Sequence, residues 1–122
     1  MSGKKVLIVD DEPNLTRSMA FILRKEGYDI ETAANGEEAI EKVWKIKPHL
    51  ILLDIMMPKK NGYEVCHEIR EEIELRDIYI IMLTAKGQEV DREKGMDMGA
   101  DEFITKPFSP SQIVERVKAV LN

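Results

Sequence analysis

The chain has 122 residues, enough for one domain around a single core and too few for two. Its formal net charge of -5 argues against the basic face with which proteins displace counterions from nucleic acid, so no direct nucleic-acid contact is expected. One cysteine, Cys66, rules out an intrachain disulfide, and with no apolar run long enough for a signal peptide or a membrane span the sequence predicts a soluble, cytoplasmic protein.

In chain order, Lys4 to Asp10 is a short β-rich run that stops at Asp10 and Asp11 and reads as a central strand. Glu12-Pro13 follows, then Leu15, Met19, Ile22 and Leu23 at helical spacing until Gly27. Tyr28 to Ala33 is a more polar strand, suited to a sheet edge. Asn35-Gly36 then opens a helix with Ala39, Ile40 and Val43 on one face and Trp44 at the margin of that stripe. Between Pro48 and Pro58 lies the most apolar stretch of the chain, Leu50-Ile51-Leu52-Leu53-Asp54-Ile55-Met56-Met57. Its length suits a strand buried on both faces, with Asp54 where the strand runs out. The next helix is expected to turn Val65, Cys66, Ile69 and Ile73 inward. Ile78 to Leu83 is a fourth strand ending at Thr84, and Asp101 to Thr105 a fifth ending at Lys106-Pro107. Ser109-Pro110 caps and starts a last helix with Ile113, Val117 and Leu121 along one side. Between the last two strands, Gln88 to Asp97 has helical polarity with a thin apolar stripe, which predicts a weakly docked helix.

Strand and helix alternate about five times through connections too long for hairpins. That pattern calls for an α/β fold, a doubly wound parallel sheet with helices on both faces, as a single domain over residues 1–122 with no output domain. Ligands in such sheets bind outside the carboxyl ends of the strands. Those ends carry Asp10 and Asp11, Asp54, Thr84 and Lys106. A buried carboxylate without partners is costly, and three converging carboxylates cannot all stay ionised unaided. The cluster therefore predicts a hard cation, and an oxygen-only donor set without His or Cys favours Mg²⁺. Taken singly the residues have plainer readings: Asp11 as a helix cap, Asp10 or Glu12 as a complement to the helix dipole, Thr84 as a strand residue, Lys106 as a surface charge. His49 and His67 are isolated and read as surface residues, and Cys66 as a small core residue.

The motifs Val9-Asp10-Asp11-Glu12, Leu53-Asp54-Ile55-Met56-Met57-Pro58 with Gly62, Leu83-Thr84-Ala85 and Lys106-Pro107-Phe108 together resemble those of the receiver domains of two-component response regulators, over nearly the whole chain. The resemblance implies a flavodoxin-like five-stranded sheet in the order 2-1-3-4-5. It implies a phosphorylation-dependent switch, not a turnover enzyme, in which Asp54 takes a phosphoryl group from a histidine kinase or a phosphotransfer protein. Asp10, Asp11, Asp54 and the Met56 carbonyl would hold Mg²⁺, and Thr84 and Lys106 would contact the phosphoryl oxygens. Phe103, three residues before the lysine, would be the switch aromatic beside Thr84. Lys106-Pro107 would be cis. The kinase would dock around Leu15 to Met19 and Phe108-Ser109-Pro110. The signal to a downstream target would leave by Gln88 to Asp97, the fifth strand and the last helix.

Two other classes fit less well. Haloacid-dehalogenase-like phosphohydrolases also use an aspartyl phosphate but carry an acid two residues after the nucleophile, where this chain has Met56. A flavodoxin-like electron carrier needs hydroxyls and amides after the first strand, and Asp10-Asp11-Glu12 would repel a flavin phosphate.

Overall fold

A computed structural model describes residues 3–85 and 96–122. The elements are β1 (Lys5–Val9), α1 (Pro13–Lys25), β2 (Asp29–Ala33), α2 (Gly36–Ile46), β3 (Leu50–Asp54), α3 (Gly62–Glu71), a short 3-10 turn (Ile73–Leu75), β4 (Tyr79–Ala85), β5 (Glu102–Lys106) and α4 (Pro110–Leu121). All strand pairs are parallel, and the sheet order is β2-β1-β3-β4-β5, which puts polar β2 at an edge and β3, apolar up to its final Asp54, at the centre. The expected helix over Gln88 to Asp97 lies outside the described residues for all but its last two positions.

Alternation along the strands divides the core into two layers. Leu7, Val9, Ile51, Leu53 and Met82 meet Ala39 and Val43 of α2 and Val65, Cys66 and Ile69 of α3. Val6, Ile8, Leu50, Leu52, Ile81, Leu83 and Ile104 meet Met19, Ala20 and Leu23 of α1 and Ile113 and Val117 of α4. Helices therefore cover both faces. Two helices start as read, Asn35 accepting a bond from the Glu38 N–H and Ser109 accepting from the Gln112 N–H ahead of Pro110, and Asn61 adds a reciprocal capping box with Glu64.

Two expectations are corrected. Ile73 does not face inward: α3 stops at Glu71, the chain turns, and Ile73 is 79% exposed while Leu75 takes the core position. On α1 the buried stripe is Thr16, Met19, Ala20 and Leu23, so Leu15 and Ile22 lie at its flanks, only partly buried. Trp44 at 41% exposure and fully buried Cys66 agree with the sequence reading.

One side chain holds the start of β5 to the rest. Arg70 on α3 donates from Nε to the Gly99 carbonyl (2.8 Å), from one terminal nitrogen to the Ile78 (2.8 Å) and Arg76 (3.1 Å) carbonyls, and from the other to Asp101 (2.7 Å). Asp101 in turn accepts from the Ile80 N–H. Gly99 is in the left-handed region (φ 104°), and a Cβ there would sit 2.5 Å from Arg70 Cγ, so only glycine lets the arginine pass. Arg70→Ala strands three carbonyls and a carboxylate at once. Urea denaturation is expected to show a loss of about 2 kcal/mol, from partly buried bonds to charged groups.

Candidate functional site

The strand register carries the strand-end residues to one rim. Asp54 lies opposite Leu83, and Ala85 opposite Lys106. By alternation Asp10 continues the Val6–Ile8 face, Asp54 the Leu50–Leu52 face and Lys106 the Ile104 face, so all three project on the side covered by α1 and α4. Thr84 follows Met82, and Phe103 is the registered neighbour of Met82, so this pair belongs to the side covered by α2 and α3.

Lys106 Nζ donates to Asp10 Oδ2 at 3.0 Å and to Asp54 Oδ1 at 3.3 Å. The Asp10 and Asp54 side chains are 1% and 9% exposed and that of Lys106 is 28% exposed, so the carboxylates are shielded from solvent while the lysine reaches them from the rim. Burial pushes the Asp54 carboxyl up to about 6, and the negative charge of Asp10 adds to the rise, while Lys106 opposes it. Burial pulls the Lys106 ammonium down, but the bond to Asp10 and the charges of both carboxylates outweigh it and leave it above its ordinary value. Asp10 Oδ1 also accepts from the Glu12 N–H at 2.9 Å. The plainer reading of Asp11 as a helix cap does not hold: Glu12 occupies the N-cap of α1 and no side chain caps it.

Oxygens of Asp10, Asp11 and Asp54 lie within 4.8 Å of one another. Three carboxylates against one ammonium leave two uncompensated negative charges in a largely buried pocket, which matches one divalent cation, and the oxygen-only donors fit Mg²⁺. Asp10 and Asp11, but not Asp54, also line a groove of about 390 Å³ that runs from α1 past the end of β2 to α2.

The loop after β3 is brought close by Gly62, whose missing Cβ would lie 2.4 Å from the Asp54 carbonyl oxygen, and by the Gly62 N–H bond to the Ile55 carbonyl (2.9 Å). Met56 in this loop is 64% exposed. Thr84 is buried and its hydroxyl donates to the Ala85 carbonyl at 3.4 Å. Phe103 is partly buried against the α2–α3 core layer. The Lys106–Pro107 peptide is cis.

His49 and His67 stay at the surface as read, although His49 Nδ1 accepts from the Lys5 N–H and His67 pairs with Glu71. Sequence reasoning missed Thr16, whose hydroxyl reaches the carbonyls of Asp10 and Glu12 beneath the acidic turn. Its signal was a lone polar residue at the spacing of Met19, Ala20 and Leu23.

Residues 6–118 match the response regulator receiver domain family. The alkaline phosphatase synthesis transcriptional regulatory protein PhoP of Bacillus subtilis is 47% identical over 119 residues, 98% of this chain; the chain spans about half (49%) of that relative's length. Among solved structures, the chemotaxis response regulator CheY4 of Vibrio cholerae superposes with a TM-score of 0.91 at 32% identity, covering 98% of this chain and 99% of that one. The receiver domain of the sensor histidine kinase PA1611 of Pseudomonas aeruginosa has a TM-score of 0.88 at 28% identity, with 98% of each chain covered, and holds a magnesium ion in its active site cleft. With this sheet order, this rim of carboxylates and lysine, and a family match over most of its length, the chain belongs to the receiver domains of two-component response regulators.

Proposed function

We propose that Asp54 is the phosphoryl acceptor and that Asp10, Asp11, Asp54 and the Met56 carbonyl hold Mg²⁺. The observation that carries this reading is the convergence of two buried carboxylates on the Lys106 ammonium beside exposed Asp11. Receiver domains accept a phosphoryl group and signal with it; they are not conventional enzymes. Asp54 Oδ1 is held by Lys106, and Oδ2 takes no hydrogen bond among the described residues, so Oδ2 is the attacking atom. It forms the new O–P bond as the P–N bond of a donor phosphohistidine breaks, and the imidazole leaves with the electron pair. Lys106 stays at the reaction centre and neutralises charge gathering on the phosphoryl oxygens. Mg²⁺ held by Asp10, Asp11, Asp54 and the Met56 carbonyl would supply further charge neutralisation for the incoming anion.

The product carries new oxygens beside Thr84. Turning the Thr84 hydroxyl from the Ala85 carbonyl towards them opens space on the α2–α3 side, next to Phe103. A phenylalanine has no hydroxyl to bond at the surface, so packing alone drives its movement. The populations of two domain conformations shift accordingly.

The donor is a sensor histidine kinase or a phosphotransfer protein, docking on α1 and the Phe108-Ser109-Pro110 loop. Met19 is buried, so exposed Arg17, Ser18 and Phe21 form the contact on α1. The acidic balance of the chain favours a protein as the downstream target of this domain.

The reading is tested by intact mass after incubation with acetyl phosphate. One hydroxylamine-labile phosphoryl group is expected with Mg²⁺ and none in chelator. A chain that also stays unmodified with a competent histidine kinase would refute the assignment. Met56 offers no group to orient an attacking water, so the acyl phosphate should decay slowly. Met56→Asn is expected to shorten its lifetime several-fold, and an unchanged decay rate would remove Met56 from the account.

A further inference from the structure

Thr16 is the polar member of the buried stripe of α1. Its hydroxyl lies 3.1 Å from the Glu12 carbonyl oxygen and 3.4 Å from that of Asp10. The first contact is the ordinary back-bond of a helical threonine to the carbonyl four residues earlier. The second is not, because Asp10 lies six residues back and outside the helix.

These two carbonyls belong to the peptide units on either side of the acidic turn. The Asp10 carbonyl is part of the unit that joins Asp10 to Asp11, so a donor aimed at it fixes the rotation of that unit and hence the direction in which the Asp11 side chain leaves the backbone. Two other constraints fall on Asp10, whose N–H donates to the Ala33 carbonyl (3.1 Å) and whose Oδ2 accepts from Lys106, and a third, the Glu12 N–H donated to Asp10 Oδ1, holds the Asp11–Glu12 peptide unit on the far side of Asp11. Asp11 is exposed, and among the described residues its carboxylate takes no hydrogen bond. Its aim is set by its backbone alone.

We propose that Thr16 is a positioning residue for Mg²⁺: its hydroxyl holds the Asp10–Asp11 peptide unit and thereby directs the Asp11 carboxylate into the cluster. The proposal rests on the reading of Asp10, Asp11 and Asp54 as the Mg²⁺ site. Groups that orient metal ligands from behind typically weaken binding 10- to 100-fold when removed. One neutral hydroxyl shared between two carbonyls belongs at the low end, roughly 10-fold.

The test is calorimetric titration of Mg²⁺ into the wild type, Thr16→Val, Thr16→Ala and Thr16→Ser, with thermal midpoints taken in chelator. Val keeps the shape without the hydroxyl, Ala serves if Val does not fold, and Ser restores the donor. The expected result is a Kd raised roughly 10-fold in Val and Ala, in excess of any change in midpoint, and returned to near the wild-type value in Ser. Equal affinity in wild type and both hydroxyl-free variants overturns the proposal, as does a Ser variant that binds no better than Ala. A wild type that itself gives no binding heat overturns the Mg²⁺ reading, and this assignment with it, which is a different outcome from equal affinities.

Discussion

Asp54→Asn is expected to leave the intact mass unchanged after incubation with acetyl phosphate and Mg²⁺, under conditions in which the wild-type chain gains one phosphoryl group. The substitution removes the proposed acceptor: an amide oxygen cannot form a stable acyl phosphate, and Asp10 is engaged through both oxygens. Asp11 remains as a carboxylate, so a phosphoryl group found on the Asn variant would mean that Asp11 or another side chain is the acceptor. Loss of modification with an unchanged thermal midpoint or a higher one separates lost chemistry from lost fold. Lys106→Met makes the complementary test, since it keeps the nucleophile while removing the cation that offsets its charge.

The same Asn variant should be more stable than the wild type in chelator at neutral pH. The Asp54 carboxyl rises from its ordinary value of 3.8 to about 6 on folding, because burial and Asp10 together outweigh Lys106. Well below pH 3.8 the group is protonated in both folded and unfolded chains and contributes no penalty. As pH rises, the unfolded chain releases this proton first, so folded stability falls until pH passes about 6 and then stays reduced by about 3 kcal/mol, at 1.36 kcal/mol per pH unit. The advantage of Asp54→Asn should therefore be near zero at pH 3.5 and full above pH 6.5, less whatever Lys106 loses when its partner becomes neutral. Chemical denaturation at the two pH values measures it. A variant less stable than the wild type at both would show that the carboxylates are not crowded. Added Mg²⁺ should narrow the gap by stabilising the wild type through binding to the folded state alone.

Much of this was legible in the residues, and the physical reason is locality. β3 announced itself because an apolar run bounded by two prolines has few other places to go, and Asp54 stood out because a carboxylate closes that run. The strand ends located Asp10, Thr84 and Lys106 for the same reason. The order of strands was supplied by the family resemblance, since pairing across the sheet leaves little trace in any one strand. What local pattern could not give were features settled at a distance. Whether Ile73 or Leu75 enters the core depends on how the chain leaves α3 beneath the sheet. Arg70 meets Gly99 and Asp101 across about thirty residues of sequence, and no spacing marks such a partnership. Thr16 escapes a reading of apolar spacing, which draws the α1 stripe through Leu15 and Ile22 as well as Met19 and Leu23, and a polar residue inside the buried stripe becomes conspicuous only once the packing is known.

The pleat of the sheet has a consequence for how such a domain can diversify. Asp10, Asp54 and Lys106 project on one side of it, while Thr84 and Phe103 share the other with Met82 and the layer under α2 and α3. The proposed chemistry and the proposed read-out are thus housed in two separate layers of packing, joined only at the rim where neighbouring residues of one strand point opposite ways. Substitutions in the layer beneath Phe103, away from Thr84 and the residues flanking Asp54, are expected to retune what a partner feels more than how the reaction runs, much as a lever can be given a new handle while its fulcrum stays in place.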